Sequence, residues 1–167
     1  MRISIALEES WSAACHAFRC GLVNSECTLH SLMYAELRAR LPDRIALCEP
    51  QITVERHGCF VPDLVVLEGH TVAAIVELKF VPHGYPVYEL DLRKLSVLAE
   101  CQQGFQLRLD PRSGNFTEDT YHISANCILA FAAIGKHDAA AVDSVSLVAA
   151  MGPLNRQFMP LVYAVGG

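Results

Sequence analysis

Residues 61–80 read VPDLVVLEGHTVAAIVELKF, two apolar runs joined across Gly69. Both runs are short and rich in Val, Ile and Leu, which favours strands over helices. A glycine between two such runs marks a hairpin. Taken by alternate residues, the second run puts Val72, Ala74, Val76, Leu78 and Phe80 on one face. Ala73, Ile75, Glu77 and Lys79 fall on the other. The first run is apolar on both faces except at Asp63. A hairpin of this kind must be covered on both sides, so it belongs at the centre of a sheet flanked by helices.

The remaining chain supplies those helices. Residues 8–20 carry Trp11, Ala14, Cys15 and Phe18 at helical spacing, with Gly21 ending the turn. A second helix runs from a cap at Asn24 or Ser25 to Pro42, with Leu29, Met33, Leu37 and Leu41 as its buried stripe. Residues 45–56 read as a strand broken near Pro50, and His57-Gly58 as a turn. Strands at about 61–67 and 72–80 follow. Residues 87–103 form an amphipathic helix with Val87, Leu90, Leu95 and Leu98 inward. Residues 109–119 are a polar loop, 126–136 a strand, 137–152 a final helix and 159–165 a last strand. The order α-α-β-β-β-α-β-α-β predicts one α/β domain over 1–167.

The two carboxylates of the hairpin are its anomaly. Asp63 faces the same way as Glu77 only if the connecting loop has an odd number of residues. A loop of Gly69-His70-Thr71 pairs Asp63 with Glu77, and a loop of Glu68-Gly69-His70 pairs it with Ile75. A two-residue loop sets Asp63 opposite Val76 and breaks the cluster, so the expectation is an odd loop, eased by Gly69. The two backbones then lie roughly 4 to 7 Å apart. Carboxylates that close repel each other and lose hydration, and a divalent cation resolves both costs. Asp63, Glu77 and the Leu78 carbonyl are hard oxygen ligands suited to Mg²⁺ (or Mn²⁺) with several waters retained. Lys79 projects beside them, where it can orient or deprotonate a water or hold a phosphate oxygen. The plainer alternative is a solvated sheet edge with an ordinary Glu77–Lys79 pair.

Pro62-Asp63 followed by Glu77-Leu78-Lys79, with thirteen residues between the carboxylates, resembles the PD-(D/E)xK nuclease superfamily. The resemblance implies a restriction-endonuclease-like fold with an αβββαβ core, here about 24–136, and a central mixed sheet flanked by helices. It implies catalytic roles for Asp63, Glu77 and Lys79, with metal held by Asp63, Glu77 and Leu78. Many members carry a further acid early in the first core helix, which points to Glu26, on the buried stripe, with Glu36 as its rival. A GxxExxY subgroup is also similar there, but Val23 and Leu29 stand where Gly and Tyr are expected. The helix after the second half-motif commonly lends the site a basic or polar residue, which makes Lys94, Arg93 and Tyr88 the candidates for substrate binding.

Charge tempers the expected DNA partner. The net charge is -5, and the basic residues are scattered, grouping only at Arg38, Arg40 and Arg44 and at Arg93-Lys94. Duplex binding draws on several phosphate contacts, so any grip should be local, metal-assisted or helped by a partner. The sequence thus predicts a Mg²⁺-dependent nuclease cleaving DNA phosphodiester bonds. A nuclease-fold interaction module of weak or lost activity is the alternative, acting through a protein partner or homodimer contact such as the apolar 158–167 segment. A small-molecule hydrolase using the same metal is a third. His57 and His83 read as turn residues rather than catalysts. There are seven cysteines, an odd number with no CxxC pair, which argues against a zinc site or disulfide framework and for free thiols in a reducing cytoplasm. No apolar run is long and pure enough to span a bilayer, so no membrane role is expected.

Overall fold

The structure, a computed structural model, describes residues 1–55, 57–83, 88–101, 105–108, 119–136 and 158–165. The chain begins with helices α1 (Ile3–Arg19) and α2 (Glu26–Arg40). Gly21 ends α1 with φ +73, and its N–H and that of Leu22 return to the carbonyls of Phe18 and Ala17. Only a residue free of Cβ strain closes a helix this way at little cost. Ser25 caps α2 by accepting from the Thr28 N–H, while the Thr28 hydroxyl accepts from the Ser25 N–H.

Strands β1 (Ile45–Cys48), β2 (Ile52–Val54), β3 (Gly58–Phe60), β4 (Leu64–Glu68) and β5 (Thr71–Val81) follow. After them come α3 (Glu89–Glu100), β6 (Phe105–Leu107), β7 (Thr120–Lys136) and β8 (Phe158–Val165). The sheet is mixed and mostly antiparallel: β1, β4 and β5 form an antiparallel meander, and β5 pairs with β7 and β7 with β8 in parallel. The start of β7 also carries a small antiparallel leaf of β6, β2 and β3. The helix expected over 137–152 lies outside the described residues; the α/β class stands, but the strand expected over 45–56 is two strands, β1 and β2, and β3 and β6 are strands that were not expected.

Each face of the sheet has its own core. Leu64, Val66, Ala74, Val76 and Leu78 pack against Leu7, Trp11, Leu29, Met33 and Leu37 of α1 and α2. Val65, Leu67, Val72 and Ile75 pack on the other face with Leu95, Leu98 and Phe131. Residues 64 to 67 are wholly buried, as the doubly apolar pattern requires.

The hairpin differs from expectation in its loop. Glu68 pairs with Thr71, leaving a two-residue turn of Gly69-His70, with Gly69 at φ +62. A tight turn of this kind matches the twist of the flanking strands. The register then shifts between Val66 and Leu67: Leu67 faces Val72, but Val66 faces Ala74. Ala73 is the extra residue of a β-bulge, and it flips the parity that the even turn had set. From there Val65 faces Ile75 and Leu64 faces Val76. The odd residue expected in the loop lies in the strand instead, at Ala73.

A second correction concerns α3. Leu90 was expected inward but is 70% exposed, and the buried line is Asp91, Leu95 and Leu98. Asp91 occupies the inward position because two lysines meet it there.

Candidate functional site

β5 outruns β4. β4 begins at Leu64, whereas β5 continues to Val81, so the last backbone groups of β5 on that side have no strand partner. Two side chains take their place. The Leu78 N–H donates to Asp63 Oδ2 at 2.5 Å, and the Phe80 N–H donates to Glu26 Oε2 at 3.1 Å. Continuing the ladder one position past Leu64–Val76 sets Asp63 opposite Glu77. A strand residue directs its N–H and C=O to the same side, so the Leu78 carbonyl also points toward the Asp63 edge. The first turn of α2, the entry to β4 and the end of β5 therefore meet at one place.

Glu77 is the most confined of the acids. It is 1% exposed, its Oε2 accepts from Lys94 Nζ at 2.7 Å, and its Oε1 is buried without a hydrogen-bond partner. Burial, reinforced by the charge of Asp63, pushes its carboxyl up to about 8, against the pull of Lys94. Burial also raises the Asp63 carboxyl; the Leu78 N–H bond and the charges of His30 and Lys94 pull against that rise. A buried carboxylate oxygen with nothing to accept from is costly, and a bound cation is one way to satisfy it.

On the α3 side the charges form a chain. Asp91, 8% exposed, bridges two ammonium groups: Lys79 Nζ lies 3.1 Å from its Oδ2 and Lys94 Nζ 3.3 Å from its Oδ1. Burial draws both lysines down, but their hydrogen bonds to Asp91 and Glu77 together with the charges of the surrounding carboxylates outweigh it, and both end above the ordinary lysine value. On the α2 side His30 is buried between two carboxylates, with Nε2 3.6 Å from Asp63 Oδ2 and Nδ1 3.5 Å from Glu49 Oε1. Glu49 holds a left-handed backbone at φ +49, fixed by its N–H donating to the Asp63 carbonyl at 2.8 Å.

Asp63, Glu77, Lys79, Glu26 and Lys94 thus come together. The rival acid Glu36 does not: it is paired with Arg40 on the α1 side of α2. Arg93 points to solvent on α3. Tyr88 is 6% exposed and meets the Phe131 ring edge-on at 4.9 Å, so it lies in the core rather than on an open surface. His57 and His83 are exposed turn residues. Asp91, His30 and Glu49 were missed in the sequence. Two of them had a signal, since Asp91 precedes Lys94 by three residues and His30 follows Glu26 by four, each a single helical turn.

The donors suit a hard cation that keeps its own waters. Among the described residues no three His, Cys, Asp or Glu side chains form a ready cage. Two carboxylates and a carbonyl are the donors at this edge, a set that fits Mg²⁺, which is commonly held by one or two carboxylates with water completing its shell. An open groove of about 630 Å³ lies elsewhere, beside the Ala73 bulge, and takes in Arg2, Arg44, Glu68 and Asn126 but none of the residues gathered at the end of β5. Comparisons with protein-family models, with curated proteins and with solved structures found no match.

Proposed function

We propose that the protein is a Mg²⁺-dependent nuclease of the PD-(D/E)xK type that hydrolyses DNA phosphodiester bonds. The observation that carries the reading is the Asp63 carboxylate held by the Leu78 N–H, next to Glu77, with the buried Glu77 Oε1 left unsatisfied. The element order supports it: α2, β1, β4, β5, α3 and β7 follow one another as αβββαβ, with β5 parallel to β7. In this reading β2, β3 and β6 are an added leaf.

Asp63, Glu77 and the Leu78 carbonyl hold the cation, and Glu26 assists directly or through a water. The cation, when bound, supplies a Lewis acid for the phosphate and lowers the pKa of a water. Lys79 orients that water or steadies a phosphate oxygen, with its ammonium set by Asp91. Lys94 and Arg93 offer phosphate contacts on the α3 side. With a net charge of -5, the chain's hold on DNA depends on these few local cations and should be weak, with a shallow salt dependence that scales with the small number of phosphate contacts.

The test is cleavage of plasmid and single-stranded DNA in Mg²⁺ or Mn²⁺. Cleavage that is lost in both Asp63→Asn and Lys79→Ala supports the enzyme. A protein that neither cleaves nor binds metal is instead an interaction module on a nuclease-like scaffold. The Lys94–Glu77 ion pair, which already neutralises one ligand, is the observation that favours that second reading.

A further inference from the structure

Lys94 stands where a metal would have to stand. Its ammonium is 2.7 Å from Glu77 Oε2, on the one carboxylate that is almost fully enclosed. A dication drawing on Glu77 competes with that contact. Expelling a lysine from a buried carboxylate is normally expensive, because both charges lose a partner. Here the loss is small, because Asp91 Oδ1 is already 3.3 Å from the same Nζ. A short swing moves Lys94 from a shared position onto Asp91 alone. Asp91 is itself anchored by Lys79 through its other oxygen, so it offers a fixed second seat rather than a mobile one.

Resting on the metal-binding reading above, we propose that Lys94 is an internal counter-ion which a divalent cation displaces from Glu77. Asp91 is the positioning residue that receives it. The quartet Glu77–Lys94–Asp91–Lys79 is then a charge-balanced closed state of the site. Metal entry exchanges one cation for another without leaving a bare buried charge at any stage. Lys94, once displaced, stays partly exposed beside the site on the α3 side, where it can meet a phosphate.

The test is calorimetric titration of the full chain with Mn²⁺, comparing wild type, Lys94→Met, Asp91→Asn and the double variant, each first shown to melt cooperatively. Should Lys94→Met fail to fold, Lys94→Gln retains a hydrogen bond to Glu77 without the charge. Removing the competitor should tighten Mn²⁺ binding about tenfold. Removing the second seat should weaken it by roughly fivefold, and that loss should shrink to about twofold or less when Lys94 is already absent. Opposite signs with this coupling are not what a merely structural pair produces. A wild type that binds no Mn²⁺ beside a Lys94→Met that does also supports the proposal. Equal or weaker binding by Lys94→Met, with wild type binding, overturns it and leaves the metal site standing. An Asp91→Asn affinity equal to wild type overturns the role of Asp91. Absence of binding in every variant overturns both this proposal and the metal reading beneath it.

Discussion

The two ends of β5 depart from regular strand geometry for different purposes. At the N-terminal end the irregularity is internal. A tight turn at Gly69-His70 and a bulge at Ala73 together set the parity of everything downstream. At the C-terminal end the strand is regular, but β4 has stopped, and Asp63 and Glu26 take up the freed N–H groups of Leu78 and Phe80. The first end decides which side chains share a face. The second converts that shared face into a polar cluster at the rim of an apolar sheet. A site of this kind needs both, about four residues apart along one strand.

The sharpest way to break the comparison is deletion of Val65. It shortens β4 by one residue against the bulged β5, sets Asp63 opposite Val76, and turns Leu64 and Asp63 to the opposite faces. Loss of cooperative unfolding, read by circular dichroism, is the expected outcome. Glu77→Gln acts at the other end alone. It should abolish Mn²⁺ binding and any cleavage while raising the melting temperature of the metal-free protein above pH 8, because it removes a buried charge.

The pH dependence follows from the same residue. Glu77 has a folded value of about 8 against 4.5 when free, so the folded chain holds the proton more tightly. Its contribution to stability is full below pH 4.5 and is lost as pH rises to about 8, on the order of a few kcal/mol in all. Metal-free melting temperatures should therefore fall across that window, and less so in Glu77→Gln. Saturating Mg²⁺ should raise the melting temperature more at pH 8.5 than at pH 5, reported by the same thermal scans.

Smaller effects sharpen the contrast further. Glu26→Ala leaves the Phe80 N–H without its acceptor and should cost about 1 to 2 kcal/mol by urea unfolding. Glu36→Ala removes only a partly exposed helix pair with Arg40 and should cost about 0.5 kcal/mol or less. Equal costs would mean that Glu26 and Glu36 play the same part in the fold.

Much of this was legible in the sequence, for identifiable reasons. The doubly apolar runs 72–76 and 64–67 gave the central hairpin, because burial on both faces leaves no room for polar residues, although Val72 packs with Ile75 rather than on the face of Ala74 and Val76. The capping signals at Ser25 and Gly21 gave the ends of α2 and α1. The bulge at Ala73 was not legible, since a small residue inside an apolar run carries no mark of being unpaired. Leu90 was misplaced because it is apolar; the helical period counted back from Leu95 and Leu98 points to position 91, which Asp91 can occupy because Lys79 and Lys94 meet it there. Of the site, the acids on β5 and α2 could be found from their apolar settings. Asp91 and His30 left only their one-turn spacing from Lys94 and Glu26 as a sign, and what makes them notable is the company they keep across the fold.

The central claim is that Asp63 and Glu77 converge to hold one divalent cation. Anomalous diffraction from crystals of the protein soaked in Mn²⁺ addresses it most directly. The account predicts a single strong peak about 2.2 Å from an oxygen of each carboxylate and near the Leu78 carbonyl, with Lys94 moved toward Asp91. A map with no peak between Asp63 and Glu77, and Lys94 still on Glu77 at saturating metal, would contradict it.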